Sequence, residues 1–432
     1  MGAANDNPFN PNLSMLCDYY ELTMGNAYFA NGMHNQTTYF DLYFRELPDG
    51  GGYAIAAGLE QAVEYLSNLS FTPEDIEFLR GKGQFSEGFL EYLRNFRFCC
   101  DVWAVPEGTP VFPNEPLVTV RGPAVQTHLL ETMLLLTINH QTLVATKASR
   151  IVRAAAGRAV MEFGSRRAQG YAGAVLGARA AYIAGCIGTA CTITDRLYGV
   201  PALGTMSHAW VQMFDSELEA FRAYAREYPS ATILLVDTYN VLKSGLPNAI
   251  RIFNEEVVPR GFRPAGIRID SGDIAYLSKQ ARKILDEAGF PDCKITASNS
   301  LDEYIIRDTI LQGAQIDSFG VGERLITSKN DPVLGGVVLV VAAQVVFMVL
   351  ACRFVIFRLL GGNYDAAVMC AGLCGHGLGA TPSAIVNMTA VKDKYGMSRK
   401  AFMIVPIVGA FLVDVIYQPQ TIAFIKFFVM PK

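Results

Sequence analysis

The stretch IRIDSGD (267–273) has residue types that can bind an anion. Five polar or glycine residues surround a point where a predicted strand passes into a predicted helix: Arg268, Asp270, Ser271, Gly272 and Asp273. A hydroxyl and free backbone N–H groups at such a turn can hold an anion, because the helix N-terminus carries partial positive charge. Ordinary capping of the helix by Ser271 or Asp273 is the alternative. The residues leave both interpretations open.

Three further stretches carry candidate functional residues at the ends of predicted strands. In DSFGVGERLITS (317–328), Gly320 and Gly322 would let backbone amides approach a phosphate, although a tight turn is the alternative. In GTMSHAWVQ (204–212), His208 is a candidate catalyst or a satisfied core or capping residue. In EFGSRRAQG (162–170), Arg166 could fork onto a phosphate or carboxylate, or belong to a solvated edge.

The elements that must position these residues alternate between short apolar runs and amphipathic helices. Predicted strands cover 158–163, 201–206, 231–237, 265–270, 294–298 and 314–322. This alternation predicts βαβ units and a parallel sheet or barrel. Polar residues follow the strand ends: Glu162, Thr205, His208, Asp237, Asp270, Ser271, Asn299 and Gly322. In a barrel those ends line the face where active sites are built, so the pattern predicts an enzyme.

The first 157 residues do not show this alternation of short strands and amphipathic helices. The sequence predicts a helix within 16–29, a strand within 37–48, short strands within 102–123 and a long helix over 126–157. We therefore expect an α/β protein with an antiparallel-strand α/β unit over 1–157 and an irregular, incomplete α/β barrel over 158–336. Nine cysteines without a CxxC pair indicate reduced thiols, and residues 1–336 are expected to be cytoplasmic.

The last 96 residues differ from the rest in charge. Residues 1–336 hold 28 basic and 37 acidic side chains, whereas residues 337–432 hold eight and three. Apolar segments at 337–357, 366–391 and 401–425 are long enough to span hydrocarbon. We therefore expect an all-α, membrane-associated tail, although VVLVV (337–341) could instead form a strand at a buried parallel edge. The acidic body gives no indication of a nucleic-acid partner.

Taken in order, seven motifs of the body resemble those of nicotinate phosphoribosyltransferases: DYYELTMG, EFGSRRAQG, GTMSHAWVQ, LVDTYNV, IRIDSGD, ASNSLDEY and FGVGERLITS. The resemblance covers about residues 10 to 336. It implies an α/β fold of the type II phosphoribosyltransferase kind, a homodimer, and synthesis of nicotinate mononucleotide from nicotinate and phosphoribosyl pyrophosphate in NAD biosynthesis. It further implies ATP hydrolysis through a phosphorylated histidine, with Mg²⁺ at the leaving pyrophosphate.

The resemblance also implies a role for each matching residue. His208 would be phosphorylated by ATP, Thr205 and Arg268 would hold nicotinate, and Tyr20 would flank the nicotinate ring of a neighbouring subunit. Arg166 would contact a phosphate of phosphoribosyl pyrophosphate or product. Four residues would form the anion-binding turns and a fifth would line the pocket: Ser271, Gly272, Gly320, Gly322 and Asn299. Glu323 departs from the family pattern, which has a small hydroxyl residue there.

The tail resembles a second family. CGHGLGATPSAIVNM and KDKYGMSRKAFMIVPIVGAFLVD are similar to the C-terminal end of bacterial sodium/glutamate symporters, so two unrelated families would meet near Gly336. Two alternatives to the nicotinate enzyme are a symporter fragment and a related transferase that uses quinolinate or nicotinamide. Arg268 favours a base with a carboxylate, and GTMSH favours the ATP-coupled nicotinate enzyme.

Overall fold

The first structural unit of the chain is an antiparallel sheet. The computed structural model describes residues 12–340, 350, 352–378 and 381–412. Within them, four strands form this sheet: Thr37–Phe44 (β1), Asp101–Ala104 (β3), Val118–Pro123 (β5) and Gly336–Val340 (β11). They lie in the order β11-β1-β5-β3. Two short strands, Ala54–Ile55 (β2) and Pro110–Val111 (β4), pair with each other.

The alternation along β1 explains how this sheet buries its core. Phe40, Leu42 and Phe44 are buried, whereas Tyr39 and Tyr43 are partly exposed. Such alternation gives a sheet one apolar face, which must be covered. Six helices accompany it: Tyr19–Ala30 (α1), Leu59–Asn68 (α2), Pro73–Gly81 (α3), Glu87–Arg94 (α4), Ala124–His128 (α5) and Glu131–Ala154 (α6). The single helix predicted over 126–157 is therefore wrong, since α5 ends before α6 begins.

The second unit is a row of parallel strands. They are Ala159–Glu162 (β6), Ile233–Leu235 (β7), Gly266–Ile269 (β8), Lys294–Ser298 (β9) and Ser318–Val321 (β10). Their order is β6-β10-β9-β8-β7. Parallel bridges from Glu162 to Thr189 and from Thr189 to Ala202 continue the row beyond β6. The strand predicted over 201–206 is thus reduced to one bridge at Ala202, while the other five predicted strands are confirmed.

Contacts between the two ends of this row show that it curves into a barrel. Thr205 and His208 follow the bridge at Ala202, which is one end of the row. Thr205 accepts a hydrogen bond from Arg268 of β8, and His208 contacts Thr238 just after β7, the other end. The helices of this unit are Gly170–Ile183 (α7), Thr192–Tyr198 (α8), His208–Gln212 (α9), Glu217–Glu227 (α10), Leu246–Ile252 (α11), Ile274–Glu287 (α12), Glu303–Leu311 (α13) and Glu323–Ile326 (α14).

A buried ion cluster joins the antiparallel unit to the barrel. Lys147 of α6 has 1% of its side chain exposed, and its Nζ lies 3.1 Å from Asp49 Oδ2 and 2.9 Å from Glu303 Oε1. Asp49 also pairs with Arg150 Nη1 at 3.0 Å. Asp49 precedes β2 and Glu303 begins α13, so the cluster links both units through the long helix. Removing one partner of such a cluster leaves a buried charge uncompensated, which is strongly destabilising.

The tail begins as a strand, which corrects the prediction of an all-α segment. β11 pairs with β1 antiparallel, with Val338 opposite Leu42 and Gly336 opposite Phe44. A strand therefore forms over 336–340, but it lies antiparallel at the edge of the N-terminal sheet and not at a parallel edge of the barrel. Val338 packs against the core of that sheet. The antiparallel sheet of the body thus includes residues up to Val340.

Beyond β11 the described tail residues form a small helical cluster. After a helical turn at Cys352–Ile356, its helices are Phe357–Leu359 (α15), Tyr364–Leu378 (α16), Thr381–Tyr395 (α17) and Arg399–Leu412 (α18). Their shared core contains Val368, Met369, Met388, Ala401 and Val405. None of the helices in the described part of the chain is long and apolar enough to cross a bilayer. Parts of the three predicted spans, at 341–349, 351, 379–380 and 413–425, lie outside the described residues.

Candidate active site

The carboxyl ends of the barrel strands bring most of the predicted site residues together. His208 is the first residue of α9, and the Ser207 hydroxyl caps that helix by accepting from Trp210 N–H. This cap fixes the backbone so that the His208 ring projects toward the residues that follow β7 and β8. Its side chain is 39% exposed, so a substrate can reach it.

Two carboxylates face one edge of the His208 imidazole. Nε2 lies 3.6 Å from Asp270 Oδ2 and 3.9 Å from Asp237 Oδ1. On the opposite edge, Nδ1 lies 3.2 Å from the Thr238 hydroxyl. Carboxylates only accept hydrogen bonds, so they favour a proton on Nε2 and leave the lone pair on Nδ1.

Asp237 is held firmly by the turn that follows β8. Only 1% of its side chain is exposed. Its Oδ2 accepts from the Ser271 hydroxyl at 2.5 Å and from Asp270 N–H at 3.2 Å. Its buried Oδ1 has no hydrogen-bond partner among the described residues and is the oxygen of Asp237 that lies beside His208. Ser271 was predicted to bind an anion or to cap α12, and in this structure it orients Asp237.

Asp270 is the second carboxylate beside the histidine, and it is 28% exposed. Its Oδ1 accepts a hydrogen bond from the Ser298 hydroxyl at the end of β9. Asp237 and Asp270 were predicted to line this face but were given no role there. Ser298 and Thr238 were not singled out, because no local motif distinguishes a serine or threonine that bonds across strands.

Arg268 and Thr205 are in direct contact. Arg268 Nη1 donates to Thr205 Oγ1 at 2.7 Å, while the buried Nε has no hydrogen-bond partner among the described residues. Burial lowers the pKa of the Arg268 guanidinium, an effect that Asp270 and Asp237 partly offset. The group remains charged even so, because arginine keeps its proton in proteins. A guanidinium with a donor that no described residue uses can donate to a carboxylate.

Arg166 supplies a second positive charge nearby. It lies in the exposed turn Ser165–Arg167 after β6 and is close enough to Arg268 to lower the pKa of that guanidinium. Within residues 12–340, Arg166 forms no ion pair with an acidic side chain. Its position and charge are therefore compatible with the predicted phosphate contact.

The three glycines predicted to form anion-binding turns occupy different kinds of backbone position. Gly272 has a φ of +84°, a left-handed conformation that favours glycine, and it precedes Asp273, whose carboxylate caps α12. Gly322 precedes α14 at the end of β10. Gly320 does not lie in a turn, which corrects its prediction. It is inside β10, where a Cβ would lie 2.5 Å from Phe163 Cδ2. Its missing side chain makes room for that ring.

Three remaining residues complete the comparison with the sequence. Asn299 follows β9 with a φ of +80° and is exposed at the same face. Glu323 pairs with Lys329 Nζ at 2.9 Å, so its charge is satisfied away from the carboxylate cluster. Tyr20 lies in α1, where its ring contacts His128. Burial, followed by Glu131, raises the pKa of Tyr20 to about 12.

Two solved structures share this architecture. The crystal structure of human nicotinic acid phosphoribosyltransferase superposes with a TM-score of 0.68 at 29% identity, covering 75% of this chain and 74% of that one. A nicotinate-nucleotide pyrophosphorylase from Pyrococcus furiosus shares the fold, with a TM-score of 0.61 at 24% identity over 78% of this chain and 77% of that one.

Sequence comparisons define the family. The model of the nicotinate phosphoribosyltransferase N-terminal domain matches residues 15–139. A nicotinate phosphoribosyltransferase of Bacillus subtilis is 45% identical over 332 residues, covering 77% of this chain and 67% of the relative. The Mycobacterium tuberculosis enzyme pncB2 is 45% identical over 321 residues, with 74% and 68% covered. The chain belongs to the nicotinate phosphoribosyltransferase family. The sodium/glutamate symporter family matches residues 332–397.

Proposed function

We propose that the body of this chain transfers a phosphoribosyl group to nicotinate and couples the transfer to ATP hydrolysis through His208. The observation that carries the proposal is the placement of His208, with Asp237 and Asp270 beside its Nε2 edge, on the barrel face that also holds Arg268. Membership of the nicotinate phosphoribosyltransferase family supports the same reaction.

Arg268 is the residue that selects the base. Its guanidinium is oriented by Thr205, and within the described part of the chain its buried Nε–H has no acceptor, so a planar carboxylate can accept from it. Nicotinate carries such a carboxylate, whereas nicotinamide carries a neutral amide. Tyr20 would act on a neighbouring subunit of a homodimer, and its position in α1, among Glu131 and His128, is compatible with that arrangement.

His208 accepts the phosphoryl group of ATP on Nδ1. The carboxylates of Asp237 and Asp270 hold the proton on Nε2, so the Nδ1 lone pair attacks phosphorus as the bond to ADP breaks. The resulting imidazole remains beside two negative charges, which stabilise a protonated ring and favour later loss of the phosphoryl group to water. Thr238 must rotate away from Nδ1 for the attack to occur.

Phosphoribosyl pyrophosphate binds along the same face. Arg166 provides positive charge for its phosphates, and the turn at Ser271–Gly272 lies beside the carboxylates. Mg²⁺, when bound, neutralises charge on the leaving pyrophosphate. Magnesium sites commonly combine one or two carboxylates with substrate phosphates, so the phosphates of phosphoribosyl pyrophosphate would supply part of such a site. The described residues contain no cluster of three or more metal-binding side chains.

One assay tests the reaction and its alternatives together. The full chain is incubated with phosphoribosyl pyrophosphate, Mg²⁺ and, in separate reactions, nicotinate, nicotinamide or quinolinate, each with and without ATP. We expect nicotinate mononucleotide from nicotinate alone among the three bases, at a rate that ATP increases. Preference for quinolinate, with release of carbon dioxide, would replace the nicotinate proposal with the quinolinate alternative.

We also propose that the tail contacts a membrane or another apolar surface, although it does not use a described helix to span one. Its match to the symporter family supports this, as do exposed apolar side chains at Phe354, Leu359 and Met403. The full chain should sediment with lipid vesicles, while a chain ending at Val340 should not. Equal sedimentation of both chains would remove the proposal.

A further inference from the structure

Ser298 is a buried serine. Within the part of the chain that the structure describes, its hydroxyl donates to one acceptor, which is a carboxylate of the active site. It is the last residue of β9 and is 5% exposed. Its hydroxyl donates to Asp270 Oδ1. The other oxygen of the same carboxylate, Oδ2, lies 3.6 Å from His208 Nε2. A chain of contacts therefore runs from Ser298 through Asp270 to the histidine.

We propose that Ser298 is a positioning residue for His208, and this inference rests on the proposed phosphorylation of that histidine. The terminal torsion of an aspartate side chain is broad, so its own rotamer preference does not fix the direction of the two oxygens. Asp270 is 28% exposed and could turn toward solvent. A hydrogen bond to Oδ1 holds the carboxylate plane and aims Oδ2 at Nε2. Ser298 thereby sets the tautomer of a ring that it does not touch.

The neighbouring strand is shaped to allow this contact. Ser298 of β9 pairs in register with Gly320 of β10. A Cβ at Gly320 would lie 3.3 Å from Ser298 Cβ and 2.5 Å from Phe163 Cδ2. The missing side chain of Gly320 therefore leaves space for both Phe163 and Ser298 on this part of the sheet. The two residues after Ser298, Asn299 and Ser300, both have positive φ, so β9 ends abruptly at the site.

Thr296 provides a matched control two residues earlier on the same strand. It is 6% exposed, similar to Ser298. Its hydroxyl is hydrogen bonded to Ser318 Oγ of β10 at 2.8 Å. Ser318 does not belong to the His208 cluster. Thr296→Val removes a buried interstrand hydrogen bond without touching Asp270. Any effect of Ser298→Ala that exceeds the effect of Thr296→Val is therefore specific to the carboxylate contact.

The first measurement is the rate at which ATP phosphorylates His208 in the full chain. Ser298→Ala removes a hydrogen bond to a charged group. The free energy that such a bond typically contributes corresponds to a step that is ~10- to 100-fold slower. KM for nicotinate should change by less than about twofold, since Ser298 does not contact Arg268. Ser298→Thr, which keeps the hydroxyl, should recover most of the rate, and Ser298→Cys, a weaker donor, should fall between.

The second measurement separates this inference from the proposed function. Nitrogen chemical shifts of the His208 imidazole report its tautomer in the resting protein, and His208→Ala identifies the signal among the five histidines. Ser298→Ala should lower the Nε2–H population, whereas Thr296→Val should not. Absence of ATP labelling in the unmodified chain would refute the phosphorylation of His208 while leaving this test intact. An unchanged tautomer and an unchanged phosphorylation rate in Ser298→Ala would overturn the positioning role.

Discussion

Replacing Arg268 with alanine should selectively impair the use of nicotinate. Arg268 of β8 is partly exposed with a buried Nε, one of its other nitrogens donates to Thr205 at 2.7 Å, and no described residue accepts a hydrogen bond from Nε–H. In the complex, a carboxylate would accept from this group and neutralise it. Alanine at this position would leave the substrate carboxylate desolvated without a partner. The loss should therefore be larger than that of an ordinary neutral hydrogen bond.

The expected magnitude follows from this burial. Truncating one partner of a buried, hydrogen-bonded charge pair costs about 2–5 kcal/mol. Because ~1.4 kcal/mol corresponds to a factor of ten, kcat/KM for nicotinate should fall about 30-fold to several thousand-fold. Thr205→Val keeps the charge but removes one orienting hydrogen bond to a charged group, worth about 1.5–3 kcal/mol, so it should cost ~10- to 100-fold. Arg268→Lys should lie between the two, because an ammonium lacks the planar fork.

The assay compares two substrates and one control. KM for phosphoribosyl pyrophosphate should rise by less than about twofold in Arg268→Ala if the residue binds only the base. Use of nicotinamide should change much less than use of nicotinate, because the amide carries no charge. Arg263→Ala is the control, since Arg263 is half exposed and pairs with Asp292 on the surface. An equal loss for both substrates would mean that Arg268 supports the barrel generally, and the assignment would fail.

Three further predictions address other parts of the molecule. ATP should add an acid-labile, base-stable phosphate to the chain that is absent in His208→Ala, and equal labelling of both would exclude His208. Lys147→Met should lower the free energy of unfolding by about 3–5 kcal/mol, measured by urea titration, because two buried carboxylates lose their shared cation. A loss below about 1 kcal/mol would show that water compensates these carboxylates. Gly320→Ala should destabilise the chain by about 1–3 kcal/mol through its clash with Phe163, and an unchanged urea midpoint would contradict that packing.

Much of the barrel could be predicted from the sequence because its strands are short apolar runs followed directly by polar residues. The run ending at Asp237 and the run ending at Asp270 both have this form, and both carboxylates lie at the predicted face. The contact between Thr205 and Arg268 is also consistent with the family resemblance. The strands and the polar residues that follow them are local in sequence, so a single chain carries enough information to place them.

Other features depend on contacts between distant segments and could not be read locally. A GxG pattern occurs both in turns and in strands where a neighbouring side chain leaves no room for a Cβ. Gly320 is of the second kind because Phe163 lies beside it, and the sequence does not show that contact. Ser298 resembles any serine at a strand end until Asp270 is brought beside it. The β-branched run after Gly336 predicts a strand, but the choice of β1 as its partner is made by the tertiary fold.

The pairing of β11 with β1 has a consequence for how this chain could have been assembled. The hydrogen bonds between β11 and β1 are made by backbone groups, which every residue except proline can provide. Many side chains are therefore compatible with a strand that pairs at this edge of the sheet. Two conditions remain: Gly336 must stay small beside Asn139, and Val338 must fill the core. A segment of foreign origin that meets both can be grafted at this edge. The β11 position is therefore a natural site for recombination and for engineered fusions to this fold.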